Sequence, residues 1–116
     1  MTDITRLDSG PKLSRVVIHN DIVYLCGQVA KDYDADIKEQ TRTMLERVDE
    51  HLKEAGTHRN KILSATIYIS DISQVSQMNE VWGKWLGDGP RPTRTCVQAQ
   101  MAKPNILVEI TVTAAK

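Results

Sequence analysis

Between residues 37 and 55 the apolar residues fall at Ile37, Met44, Leu45, Val48, Leu52 and Ala55, with Thr41 filling the same stripe. Steps of three and four trace one face of a helix, and that face has to be laid on an apolar surface. Asp36 stands where an N-cap belongs, with Gln40 four residues on, and Gly56 stands where the left-handed residue past the end belongs. Lys38, Glu39, Arg42, Glu46, Arg47, Glu50 and Lys53 fill the opposite face, and His51 is placed with them, toward solvent. His58 lies just beyond the helix, and neither histidine has a visible catalytic partner.

The surface to receive this helix comes from runs with a period of two. Val16-Val17-Ile18 and Ile22 to Gly27 read as a hairpin turned at His19-Asn20-Asp21, since Asn and Asp tolerate a left-handed backbone. Gly27 ends the second strand. Residues 1–14 are polar, with a turn at Gly10-Pro11, and read as a surface segment or an edge strand. Residues 62–69 form a strand with Leu63, Ala65, Ile67 and Ile69 on an apolar face and Ile62, Ser64, Thr66 and Tyr68 on an uncharged one. Asp71 or Ser73 then caps a second helix with the stripe Val75, Met78, Trp82, Trp85 and Leu86 and Val81 on its edge; Gly87 ends it. The two tryptophans read as core, and Asn79 sits off the stripe, on the flank. A turn at Lys103-Pro104-Asn105 leads into a last strand, 106–113, with Ile106, Val108, Ile110 and Val112 on one face and Leu107, Glu109 and Thr111 on the other.

The order β-β-α-β-α-β-β predicts one α+β domain spanning residues 1–116, a mixed sheet with both helices on one face. The second face is poor in charge, so it calls for a cover, and in a domain this small the natural cover is another copy.

Pro90 and Pro92 stiffen the entry to a strand in which Thr93, Thr95, Val97 and Ala99 point one way and Arg94, Cys96, Gln98 and Gln100 the other. Arg94 is thus the one base on its face, just past a rigid turn. Its guanidinium has the planar fork that suits a carboxylate. Two readings stand side by side: it grips a ligand acid, or it closes an ion pair with a structural one. Glu109 is likewise the one acid on its face. If the last two strands form a hairpin through Lys103-Pro104-Asn105, the two faces coincide, and the residues make either a pair or a site.

Lys and Arg together number 15 and Asp and Glu number 15, so nothing points to nucleic acid or a membrane surface as main partner. The chain contains no apolar run of spanning length and no leader-like h-region, which makes the cytoplasm the default compartment. Cys26 and Cys96 lie in no CxxC pair and no His/Cys cluster has zinc spacing, so no metal is expected; both cysteines read as small strand hydrophobes.

From about Gly10 to Ala115 the chain resembles the Rid (YjgF) family of enamine/imine deaminases. The resemblance rests on Val23-Tyr24-Leu25-Cys26-Gly27-Gln28, Glu39-Gln40-Thr41, Ala55-Gly56, Ala65 to Ile72, Met78-Asn79, Pro92-Thr93-Arg94-Thr95-Cys96-Val97 and Val108-Glu109-Ile110, in that order and spacing. It implies a chorismate-mutase-like fold and a homotrimer whose helix-free faces meet in a central barrel, with sites in clefts between subunits. It also implies that Arg94 grips the substrate carboxylate, that Glu109 works on the reacting carbon through a water, and that Cys26, Gly27, Asn79 and Cys96 line the cleft. The substrate would be a small imino or keto acid, with no cofactor. The chain departs from the family pattern at Cys26, where many members have Ser, at Lys12-Leu13, where an aromatic is frequent, and at Ala102-Lys103-Pro104. A binding protein for small carboxylates, with no turnover, is the rival reading: it needs Arg94 and does not need Glu109.

Overall fold

A computed structural model of the protein describes residues 3–116. Met1 and Thr2, the first residues of the segment read as surface or edge strand, lie outside the described residues. Strands β1 (Thr5–Ser9), β2 (Ser14–His19) and β3 (Ile22–Leu25) form an antiparallel meander. Asn20 and Asp21 both take positive φ, 53° and 65°, in the tight turn between β2 and β3. This is the two-residue turn whose twist matches a hairpin. After a break at Cys26 and Gly27 the chain resumes as β4 (Gln28–Val29). Helix α1 (Ile37–Glu54) follows, with the Asp36 carboxylate accepting from the Glu39 N–H at 2.9 Å and Gly56 at φ 81° past its end. Then come β5 (Ile62–Ile69), α2 (Val75–Leu86), β6 (Thr93–Gln98) and β7 (Val108–Ala115).

The sheet runs β1-β2-β3-β7-β5-β6, with β4 also on β7. Every pairing is antiparallel except β5 with β6. Helix α2 carries the chain back across the sheet, so β6 starts beside the start of β5 and runs with it. The expected hairpin between β6 and β7 is therefore absent: β5 lies between them. The last strand also begins two residues later than expected, and 99–107 is a connection across the end of β5.

Both helical stripes and the inward residues of the strands share one core. Met44, Leu45, Val48 and Leu52 of α1 and Met78, Trp82 and Leu86 of α2 pack on Val16, Val23, Leu25, Ala65, Ile67, Ile69, Val108, Ile110, Val112 and Ala114. One substitution of faces occurs. A register shift between Ile62 and Ser64 puts Ile62 in the core and leaves Leu63 exposed, the reverse of the alternation read from sequence. The extents of 47 × 37 × 20 Å are those of one sheet under one helical layer. The other sheet face has no covering element, and Tyr24 (46% exposed) and Val97 (42%) stand on it among threonines. No helix among the described residues is long and apolar enough to cross a membrane.

Candidate functional site

Glu109 is on β7, between the buried Val108 and Ile110, so its carboxylate emerges on the helix-free face. Tyr68 of β5 and Val29 of β4 are its register partners. Gly27 lies against it: a Cβ built on Gly27 would overlap the Glu109 carboxylate. The glycine therefore makes room for the acid, beyond ending a strand. Around the two opens a cleft of about 400 Å³ lined by Asp8, the Gly10-Pro11 turn with Lys12 and Leu13, Arg15, Cys26, Gly27 and Glu109. Across Glu109, Tyr68 and Thr111 face Met101 in a smaller hollow of about 250 Å³. No Lys or Arg among the described residues comes within ion-pair distance of Glu109.

Arg94 is on the other side. Its register partner on the parallel neighbour is Ala65, and Cys96 pairs with Ile67, both core residues. Arg94 and Cys96 therefore point to the helix side, at the open edge of the sheet. The Arg94 Nη1 donates to the Asn79 Oδ1 at 2.7 Å, and its guanidinium lies 5.6 Å from the centre of the Trp82 ring. An amide oxygen and an aromatic face orient a cation without neutralising it. No carboxylate among the described residues pairs with Arg94. Burial pushes the Cys96 thiol above its ordinary range, against the opposing pull of the Arg94 charge.

The candidate residues thus divide into two sets. Arg94, Asn79 and Cys96 stand together on the helix side of β6; Glu109, Gly27 and Cys26 stand together on the opposite face. The coincidence of faces inferred from a β6–β7 hairpin does not occur, and an Arg94–Glu109 pair within one chain is ruled out with it. Cys26 is in the break after β3, where its sulfur lies 3.2 Å from the Gln28 Nε2, and not within a strand. Tyr68, Lys12 and Arg15 carry parts of these surfaces that the sequence reading left without a role, and Trp82, read as core, carries another. For Trp82 the signal was available: it is one turn from Asn79.

Other polar clusters lie elsewhere. Asp8, His51 and Glu54 hold their ligand atoms within 4.8 Å of one another, a spacing that a divalent cation could bridge. His51 is accordingly half-buried under β1 and not free in solvent. A roomier cavity, about 600 Å³, lies between α1 and α2 over Leu45, Val81 and Trp85. Its rim is already paired, Lys38 with Glu80 at 2.8 Å and Arg42 with both Glu39 and Glu46. None of the candidate residues lines it.

Together these features define a small α+β domain, one mixed sheet backed by two helices, with an acid on the bare face and an oriented guanidinium at the edge. The family model described as Endoribonuclease L-PSP matches residues 4–116. A RutC family protein, YoaB of Escherichia coli, is 39% identical over 112 residues, covering 97% of each chain. A RutC family protein of Haemophilus ducreyi is 38% identical over 112 residues, 97% of this chain and 96% of its own. Among solved structures, NMB1025 of Neisseria meningitidis, a member of the YjgF protein family, superposes with a TM-score of 0.94 at 36% identity, covering 98% of this chain and 95% of its own. The chain belongs to this family, the Rid, RutC or YjgF family.

Proposed function

We propose that the protein is a cytoplasmic homotrimer that hydrolyses reactive 2-imino acids, or their enamine tautomers, to 2-keto acids and ammonia. Each site is composite: Arg94 comes from one copy and Glu109 with Gly27 from its neighbour. The observation that carries this reading is the division of the two charged residues between opposite faces, each without an ionic partner among the described residues of its own chain. A solvent-facing threonine-rich sheet that buries nothing is a surface for another copy.

Arg94 holds the substrate carboxylate in a two-pronged grip, oriented by Asn79 and Trp82. Glu109 takes a proton from a water as the water oxygen bonds to the imine carbon, giving a carbinolamine. Glu109 returns that proton to nitrogen and then carries the hydroxyl proton to the same nitrogen as the C–N bond breaks, so ammonia leaves and the carbonyl forms. The atoms balance with water alone. Cys96 stays a protonated thiol that lines the Arg94 side, and Cys26 lines the Glu109 side.

The matching family description names an endoribonuclease. Here 15 basic residues balance 15 acidic ones, so the chain carries no net positive charge to draw a phosphate backbone. The test is clearance of imines generated in situ by an amino-acid oxidase. Arg94→Ala is expected to abolish clearance with the assembly intact, and Glu109→Gln to abolish turnover while a 2-keto acid still binds. Clearance by Arg94→Ala at the parent rate would refute the role, and absence of turnover in the parent would favour the binding protein.

A further inference from the structure

The cleft beside Glu109 contains two cations that the deamination does not use. Lys12 comes from the turn in which the Gly10 N–H donates to the Leu13 carbonyl at 2.8 Å. Arg15 is on β2, and its carbonyl accepts from the Cys26 N–H at 2.9 Å, which puts Arg15 and Cys26 directly opposite one another. Their neighbours Val16 and Leu25 are register partners that both point into the core. Arg15 and Cys26 therefore project together to the bare face, the side from which Glu109 emerges, and all three line one cleft with Lys12.

Among the described residues some cations are held by acids of the chain and others are not. Lys31, Lys38, Arg42 and Arg59 all pair with acids of the same chain. Lys12 and Arg15 pair with none among the described residues, although Asp8 and Glu109 line the same cleft. Asp8 is turned toward His51 instead, 4.0 Å away. With Leu13 as the apolar part of the wall, the cleft presents a short greasy stretch ending in positive charge, close to the acid that works on the reacting carbon.

We propose that this cleft selects 2-imino acids whose side chain ends in a second carboxylate, and that Lys12 and Arg15 receive that carboxylate. The proposal rests on the deaminase site described above and adds its substrate class. Arg94 of the neighbouring copy holds the carboxylate next to the imine carbon. The distal carboxylate then lies toward β2, with the reacting carbon between the two grips and beside Glu109. A volume of about 400 Å³ is at the small end of ligand sites and admits a diacid of four or five carbons. Both cations are exposed, so the selectivity is moderate and weakens as salt is raised.

The test compares 2-oxoglutarate with 2-oxobutanoate as bound product analogues, by titration calorimetry on the assembled protein, and compares turnover of the imines made in situ from glutamate and from 2-aminobutanoate. The parent is expected to favour the diacid about fivefold in both readouts, the scale of two ion pairs at exposed cations. The Lys12→Met, Arg15→Gln double variant is expected to bring that ratio close to one; a thermal melt checks that it is folded. Equal binding of both acids by the parent, no binding of either, or a preference that survives the double variant overturns the proposal. Turnover of both imines with equal kcat/KM overturns the selectivity and leaves the deaminase standing. A diacid preference in binding with no turnover of either imine removes the deaminase and upholds the selectivity.

Discussion

In the proposed site Arg94 can grip an acid because its surroundings hold it without neutralising it. Asn79 accepts one hydrogen bond and Trp82 offers a ring face, and both leave the charge available to an incoming acid. Asn79→Ala is therefore expected to raise KM about tenfold with little change in kcat, as for lost positioning of a substrate-binding group; steady-state imine clearance reads it, and an unchanged KM would remove Asn79 from the site. Gly27 is the counterpart across the sheet. Gly27→Ala has to displace the Glu109 carboxylate, so kcat is expected to fall at least tenfold while the melting temperature stays near the parent's. Arg94 and Glu109 were both legible in the sequence as lone charges on strand faces. Their separation was not, because alternation tells which residues share a face of one strand and not which strand lies beside it. Trp82 shows the same limit: its place in the helical stripe was readable, whereas its contact with Arg94 depends on β6 returning parallel to β5.

Among the elements, β7 positions the acid, and Gln40 positions β7. Gln40 is wholly buried at the start of α1. Its Nε2 reaches the carbonyls of Tyr33, Ala35 and Asn105 at 3.0–3.1 Å, and its Oε1 accepts from the Leu107 N–H at 3.0 Å. Gln40→Leu leaves these buried groups unpaired and is expected to cost about 2 kcal/mol by denaturant titration, with activity lost in proportion to the shift of β7. The residue pattern showed only a polar residue near a helix start, since the partners that tie it to β7, Asn105 and Leu107, are more than sixty positions away. At the other end of α1, β1 brings Asp8 beside Glu54, and that carboxyl holds Glu54 above the usual glutamate range, with His51 opposing the effect. A raised folded pKa means stability that is complete below the unfolded value and is lost as pH rises through the folded one. Glu54→Gln is therefore expected to raise the melting temperature at pH 7.5 and to bring no gain at pH 3.5. The bulge that swaps Ile62 for Leu63 left no mark in the sequence, since both residues are apolar and either one can face the core.

As a whole molecule the chain is a slab about 20 Å thick with its core on one side of the sheet. That much followed from two amphipathic stripes and a set of strands whose second faces are poor in charge. Thr113 lies near the middle of the bare face, opposite Tyr24 and Ser64. If copies meet there, Thr113→Asp brings like charges together in a desolvated interface and is expected to convert the assembly to monomers by sedimentation velocity, with imine clearance lost in parallel. The central claim, that one copy supplies Arg94 and its neighbour supplies Glu109, is open to complementation. Arg94→Ala and Glu109→Gln proteins, each inactive alone, are unfolded together and reassembled. In a random mixture about a quarter of the clefts receive both intact residues, so about a quarter of the parent activity is expected to return. Mixed assemblies that form but stay inactive would show that the two residues do not serve a shared site.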